Sequence, residues 1–81
     1  MKLPRDLSGD ELARALRRFD YEITRQTGSH MRLSSVFRGV QHHITIPTHS
    51  PLKIGTLSQI LYDVAGYLEL TLDQLVEKLF S

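Results

Sequence analysis

Tyr21-Glu22-Ile23-Thr24-Arg25-Gln26-Thr27-Gly28-Ser29-His30-Met31-Arg32-Leu33-Ser34 is the stretch that decides the fold of this chain. From Tyr21 to Gln26, apolar and polar residues alternate with period two, the pattern of a half-buried strand. Thr27-Gly28-Ser29 supplies turn chemistry, and a second alternating run leaves at once, so the stretch is predicted to be a β-hairpin. The same period places His30 on one face with Arg32 and Ser34, and Met31 and Leu33 on the other. His30 therefore points away from the core, either as an ordinary solvent-facing side chain or as a group open to a ligand.

Working outward, the strands are expected at about residues 21–26, 30–36 and 42–47, with Arg38-Gly39 marking the second turn. Connections this short imply an antiparallel meander. Tyr21, Ile23, Met31, Leu33, Ile44 and Ile46 are then turned toward the helices. The other face shows Glu22, Thr24, Gln26, His30, Arg32, Ser34, His43 and Thr45, all of them polar. A slip of one residue in the third strand would exchange His43 for His42.

Capping boxes punctuate the rest. Ser8-Gly9-Asp10-Glu11 opens a first helix whose stripe is Leu12, Leu16 and Phe19, with Ala13 and Ala15 beside it. Arg14, Arg17 and Arg18 stand on or beside its opposite face, suited either to phosphate or to the negative end of a helix dipole. Thr56-Leu57-Ser58-Gln59 predicts a second helix from Thr56 to about Gly66, and Thr71-Leu72-Asp73-Gln74 a third through Phe80. Between the third strand and the second helix, Thr48 to Gly55 reads as a loop punctuated by proline and glycine. The order α-β-β-β-α-α argues for a single two-layer α+β domain over residues 1–81, with the helices on one sheet face.

A chain of 81 residues has room for one modest core and little room for an internal pocket. With 41% hydrophobic and 23% charged residues it reads as soluble and globular. No apolar run approaches the roughly 18 residues of a membrane span, and no secretory signal follows the first residues, so a cytoplasmic location without membrane contact is expected. The absence of cysteine removes disulfides and thiolate metal sites. Net charge is only +1, but residues 1–53 carry nine Lys and Arg against five Asp and Glu, while residues 54–81 carry one against four. That asymmetry suits a basic face for phosphate and an acidic end pointing elsewhere, and suits a mixed solvated surface nearly as well.

Several chemistries fall away. The chain has no Gly-rich phosphate loop, no cysteine nucleophile and no Gly-x-Ser-x-Gly turn. A zinc site would have to use His42, His43 and His49, but neighbouring strand histidines point to opposite faces and no carboxylate lies close in sequence. No metal and no cofactor is expected. What remains is acid–base chemistry on a polar, locally basic surface. RNA carries its own nucleophile in the 2′-hydroxyl, so a base, an acid and a few cations suffice to cleave it.

Four pieces at compatible spacing carry a resemblance. They are Ser8-Gly9 before an amphipathic helix, Arg25-Gln26-x-Gly28-Ser29-His30-x-Arg32, Ile44-x-Ile46-Pro47-x-His49, and Lys53-x-Gly55-Thr56-Leu57-x-x-Ile60-Leu61. In this the chain resembles the HicA (YcfA-like) toxins of bacterial type II toxin–antitoxin systems. Asp20 stands where such sequences commonly have glycine before an aromatic. The resemblance implies a fold like the double-stranded RNA-binding domain, endoribonuclease activity on mRNA, and a HicB-type antitoxin as partner. It implies a catalytic role for His30. On that reading Arg25, Gly28, Ser29, Arg32, Lys53 and Thr56 contact RNA, and His43, by its face, or His49, by its loop, is the second acid or base. The alternative is a non-catalytic RNA-binding or protein-interaction module on the same fold.

Overall fold

The computed structural model describes residues 3–80. Ser8 and Glu11 form the expected reciprocal cap: the Ser8 hydroxyl accepts from the Glu11 N–H at 3.1 Å, and the Glu11 carboxylate accepts from the Ser8 N–H at 2.9 Å. These bonds hold the Glu11 carboxyl below its usual pKa range. Helix α1 (Gly9–Leu16) follows and buries Leu12, Ala13 and Leu16. It tightens into a 3-10 turn over Arg17–Phe19, and Asp20 ends it in the left-handed region at φ 65°. Glycine takes that conformation without strain, and Asp is among the few other residues that visit it readily.

Strands β1 (Glu22–Gln26), β2 (His30–Ser35) and β3 (His42–Pro47) form one antiparallel sheet in the order β1-β2-β3. The turn between β2 and β3 uses Gly39 at φ 82°, its N–H bonded to the Val36 carbonyl at 2.8 Å. Ser34 pairs with His43 and Leu33 with Ile44, so the register keeps His43 on the polar face and His42 on the helix side.

The strict alternation expected for the first strand does not hold. Ile23 pairs with Leu33 but Arg25 pairs with Arg32, so a bulge at Thr24 puts one extra residue into β1. Directly opposed residues share a face, and the bulge therefore carries Arg25 to the face of Arg32 and moves Gln26 to the face of Met31. Ile23 keeps its side of the sheet but is 49% exposed, since β1 is an edge strand and Ile23 there lines an open groove with Asp10, Ala13, Arg14 and Arg17. Tyr21, just before the strand, is fully buried.

Helix α2 spans Ile54–Leu68, not Thr56 to Gly66. Lys53 is its N-cap in extended conformation without a side-chain cap, so Thr56 lies inside the first turn. At the other end burial outweighs the glycine: Ala65 and Leu68 continue the stripe of Leu57, Ile60, Leu61 and Val64 into the core, and the helix stops at Glu69 with φ 59°. Helix α3 (Leu72–Phe80) opens on the expected Thr71–Gln74 cap. The three helices and the apolar face of the sheet enclose one core, with Leu12, Leu16, Met31, Leu33, Ile46, Leu61 and Leu75 at its fully buried centre. This is the α+β architecture expected, in the order α-β-β-β-α-α.

Gly9 sets the distance between layers. A Cβ there would lie 2.1 Å from the Pro47 carbonyl oxygen, and the Gly9 N–H bonds the His49 carbonyl at 3.0 Å. The start of α1 thus sits directly on the end of β3.

Candidate functional site

His30 is the first residue of β2 and is exposed. The turn before it is closed by Thr27. The Thr27 N–H donates to the His30 carbonyl at 2.9 Å, and the Thr27 hydroxyl accepts from the His30 N–H at 3.1 Å. A side-chain oxygen here takes the N–H that a regular hairpin would pair with a backbone carbonyl. Gly28 does not use a positive φ, and nothing lies within 4 Å of where its Cβ would be. On the ring, Nδ1 of His30 lies 3.0 Å from the Ser29 hydroxyl. When Nδ1 donates to that oxygen, Nε2 presents a lone pair; when it accepts, Nε2 presents a proton. Either role in proton transfer is open to the outward nitrogen.

The turn is tied from outside by Thr48, whose N–H donates to the Ser29 carbonyl at 2.9 Å and whose hydroxyl donates to the Gly28 carbonyl at 3.0 Å. This brings the loop after β3 against the turn before β2. His49 stands next along that loop and is exposed. Lys53 follows at the start of α2, exposed, beside an open groove also lined by Arg5, Asp6 and Pro51.

Beyond His30 on the same face comes Arg32, and directly across from it Arg25. Both are exposed, and neither makes an ion pair with a described residue. Two like charges at directly opposed positions repel each other, so this pair gains from an anion above it. His43 shares the face but lies four residue steps from the His30 position in the register, about 13 Å along the strand. Its Nδ1 is hydrogen-bonded to the Ser34 hydroxyl.

Of the three arginines on the first helix and the turn after it, Arg18 is engaged: it donates to the Lys78 carbonyl at 2.7 Å, so it serves the negative end of α3 and not that of its own helix. Arg14 and Arg17 line a groove with Tyr21, Glu22 and Ile23, at the end of the sheet away from His30.

A second cluster escaped the sequence reading. On the helix side of the sheet, Tyr21 Oη is 2.7 Å from His42 Nδ1, and His42 Nε2 is 3.2 Å from the Asp63 carboxylate. The His42 ring stacks on Tyr67 at 4.6 Å between centroids. Tyr67 in turn donates to the Val40 carbonyl and accepts from the Arg38 N–H. Burial, reinforced by the nearby Tyr67 and Asp63, pushes the Tyr21 phenol well above its usual pKa. These bonds fasten α2 to β3 and to the β2–β3 turn. No sequence pattern unites four residues drawn from a strand lead-in, a strand and a helix.

Fold and surface together define a small α+β domain that presents a histidine and an arginine pair on the open face of its sheet. The family model described as the HicA toxin of bacterial toxin-antitoxin matches residues 9–66, most of the chain. The chain belongs to the HicA toxin family, the toxins of a class of toxin–antitoxin systems, and that membership implies an antitoxin partner. No curated protein and no solved structure matches it. No helix among the described residues is long and apolar enough to cross a membrane.

Proposed function

We propose that this toxin is an endoribonuclease acting on mRNA without a metal ion, with His30 moving protons at the scissile phosphate, and that a HicB-like antitoxin restrains it. The observation that carries this reading is the Arg25–Arg32 pair beside His30: a site for an anion next to an exposed imidazole whose outward nitrogen is uncommitted. RNA fits both. One histidine takes the 2′-hydroxyl proton, the oxygen attacks phosphorus, and a second histidine protonates the departing 5′-oxygen, leaving a 2′,3′-cyclic phosphate. The two arginines balance the charge that builds on the phosphorane.

His49 is the better second acid or base. Its loop is held against the His30 turn by Thr48, whereas about 13 Å of strand separates His43 from His30, more than one phosphodiester spans. Lys53 and the first turn of α2 at Gly55 and Thr56 offer contacts for a neighbouring phosphate.

The test is incubation of wild type and His30→Ala with labelled single-stranded RNA in excess EDTA. Cleavage by the wild type alone, with RNA still bound by His30→Ala, is the expected result. Equal cleavage by both removes His30 from the mechanism. Binding without cleavage by either, across several RNAs, leaves a non-catalytic binding module. In the same assay Arg25→Ala and Arg32→Ala should each flatten the salt dependence of binding by about 0.7 in log–log slope, the value for one lost phosphate contact on a single strand.

A further inference from the structure

We propose that Thr48 is a positioning residue for His30, holding from the β3–α2 loop the turn on which that histidine is mounted. The proposal rests on the reading of His30 as the proton-moving group. Nothing lies within 4 Å of where a Cβ at Gly28 would be, Ser29 is exposed, and the bonds that Thr27 makes to Ser29 and His30 are internal to the turn. Thr48 supplies the ties to the rest of the molecule, one through its N–H to the Ser29 carbonyl and one through its hydroxyl to the Gly28 carbonyl. Thr48 is itself fixed on both sides. Pro47 pairs with His30 in the sheet, and the His49 carbonyl accepts the Gly9 N–H at the start of α1. A continuous path of backbone bonds therefore runs from α1 through Thr48 to the turn. A hydroxyl one step off the sheet decides whether the Ser29–His30 pair keeps a single orientation.

Thr48→Val separates this role from folding, because it preserves shape and the backbone bond to Ser29 while deleting only the hydroxyl bond to Gly28. Thr48→Ser restores that bond. In steady-state cleavage of the labelled RNA, Thr48→Val should lower kcat by about tenfold to a hundredfold with KM within about twofold, the signature of misplacement without lost binding. Thr48→Ser should retain at least about half of wild-type kcat, and thermal midpoints should agree within a few degrees. Without RNA, backbone 15N relaxation of Thr48→Val should show the Ser29 and His30 order parameters falling toward about 0.6, with wild-type values in Thr48→Ser.

Wild-type kcat or wild-type order parameters in Thr48→Val, while His30→Ala is inactive, overturn the proposal and leave the reading of His30 standing. Wild-type turnover in His30→Ala, or no cleavage by the wild type on any RNA, overturns both. Equal losses in the Val and Ser variants, or a loss that tracks lowered stability, make Thr48 merely structural and also overturn it.

Discussion

Gly28 and Gly9 are the same residue type held in place by different things. At Gly28 the backbone takes no positive φ and an added Cβ meets nothing within 4 Å, so the fold does not need glycine there. If the turn lies against the RNA backbone, the ligand needs it. Gly28→Ala is therefore expected to leave the thermal midpoint unchanged or slightly raised, since alanine narrows the unfolded ensemble, while weakening RNA binding severalfold. Thermal unfolding and a binding titration on one sample check both halves; a fall in midpoint with unchanged binding would reverse the assignment. The direction of His30 was legible from alternation alone, because β2 is regular. Arg25 was legible only as a basic residue near the histidine. Its place opposite Arg32 depends on the bulge at Thr24, and nothing in Glu22-Ile23-Thr24-Arg25 marks where a strand will take in an extra residue.

At the scale of elements, local chemistry set the starts of α1 and α3, and tertiary burial set the limits of α2. The caps of α1 and α3 use side chains three residues apart, an interaction complete within one turn, so Ser8–Glu11 and Thr71–Gln74 were readable. Thr56–Gln59 has the same pattern, yet α2 begins ahead of it at Ile54, because the chain is already anchored by buried Leu52, whose N–H bonds the Leu7 carbonyl. At the far end, burial of Ala65 and Leu68 carries the helix through Gly66. That glycine is exposed, helical and unobstructed. Gly66→Ala should therefore stabilise the domain by about 1 kcal/mol, the helix-propensity difference, and raise the thermal midpoint by roughly 4–8 °C. Calorimetry on the two chains reads this directly; a lowered midpoint would mean that Gly66 meets something beyond this domain's own packing.

Across the whole molecule, the approach of α1 to β3 fixes how the site is assembled. The Gly9 contact lets the first turn of the helix rest on the Pro47 carbonyl, which places the His49 carbonyl, Thr48 and the His30 turn in one bonded series. A methyl at residue 9 cannot be accommodated at 2.1 Å from a backbone oxygen without moving a layer. Gly9→Ala should destabilise the domain by about 1–3 kcal/mol, the usual range for overpacking, and should lower cleavage even well below its thermal midpoint. Denaturant unfolding with an activity assay at reduced temperature tests both. A stable Gly9→Ala protein with full activity would show that the layers shift freely.

By itself the sequence determined the order of elements, the polar and apolar faces of β2 and β3, the caps of α1 and α3, and a histidine facing solvent. These follow from periodicity and from bonds spanning three residues or fewer, which the chain carries in one dimension. Only the tertiary structure decided which side chains share the site. The pairing of Arg25 with Arg32, the anchoring of the turn by Thr48, the distance that sets His43 apart from His30, and the cluster of Tyr21, His42, Asp63 and Tyr67 all join residues seven or more positions apart. Their meeting depends on strand register and on how closely one backbone approaches another, quantities that exist only once the layers have packed.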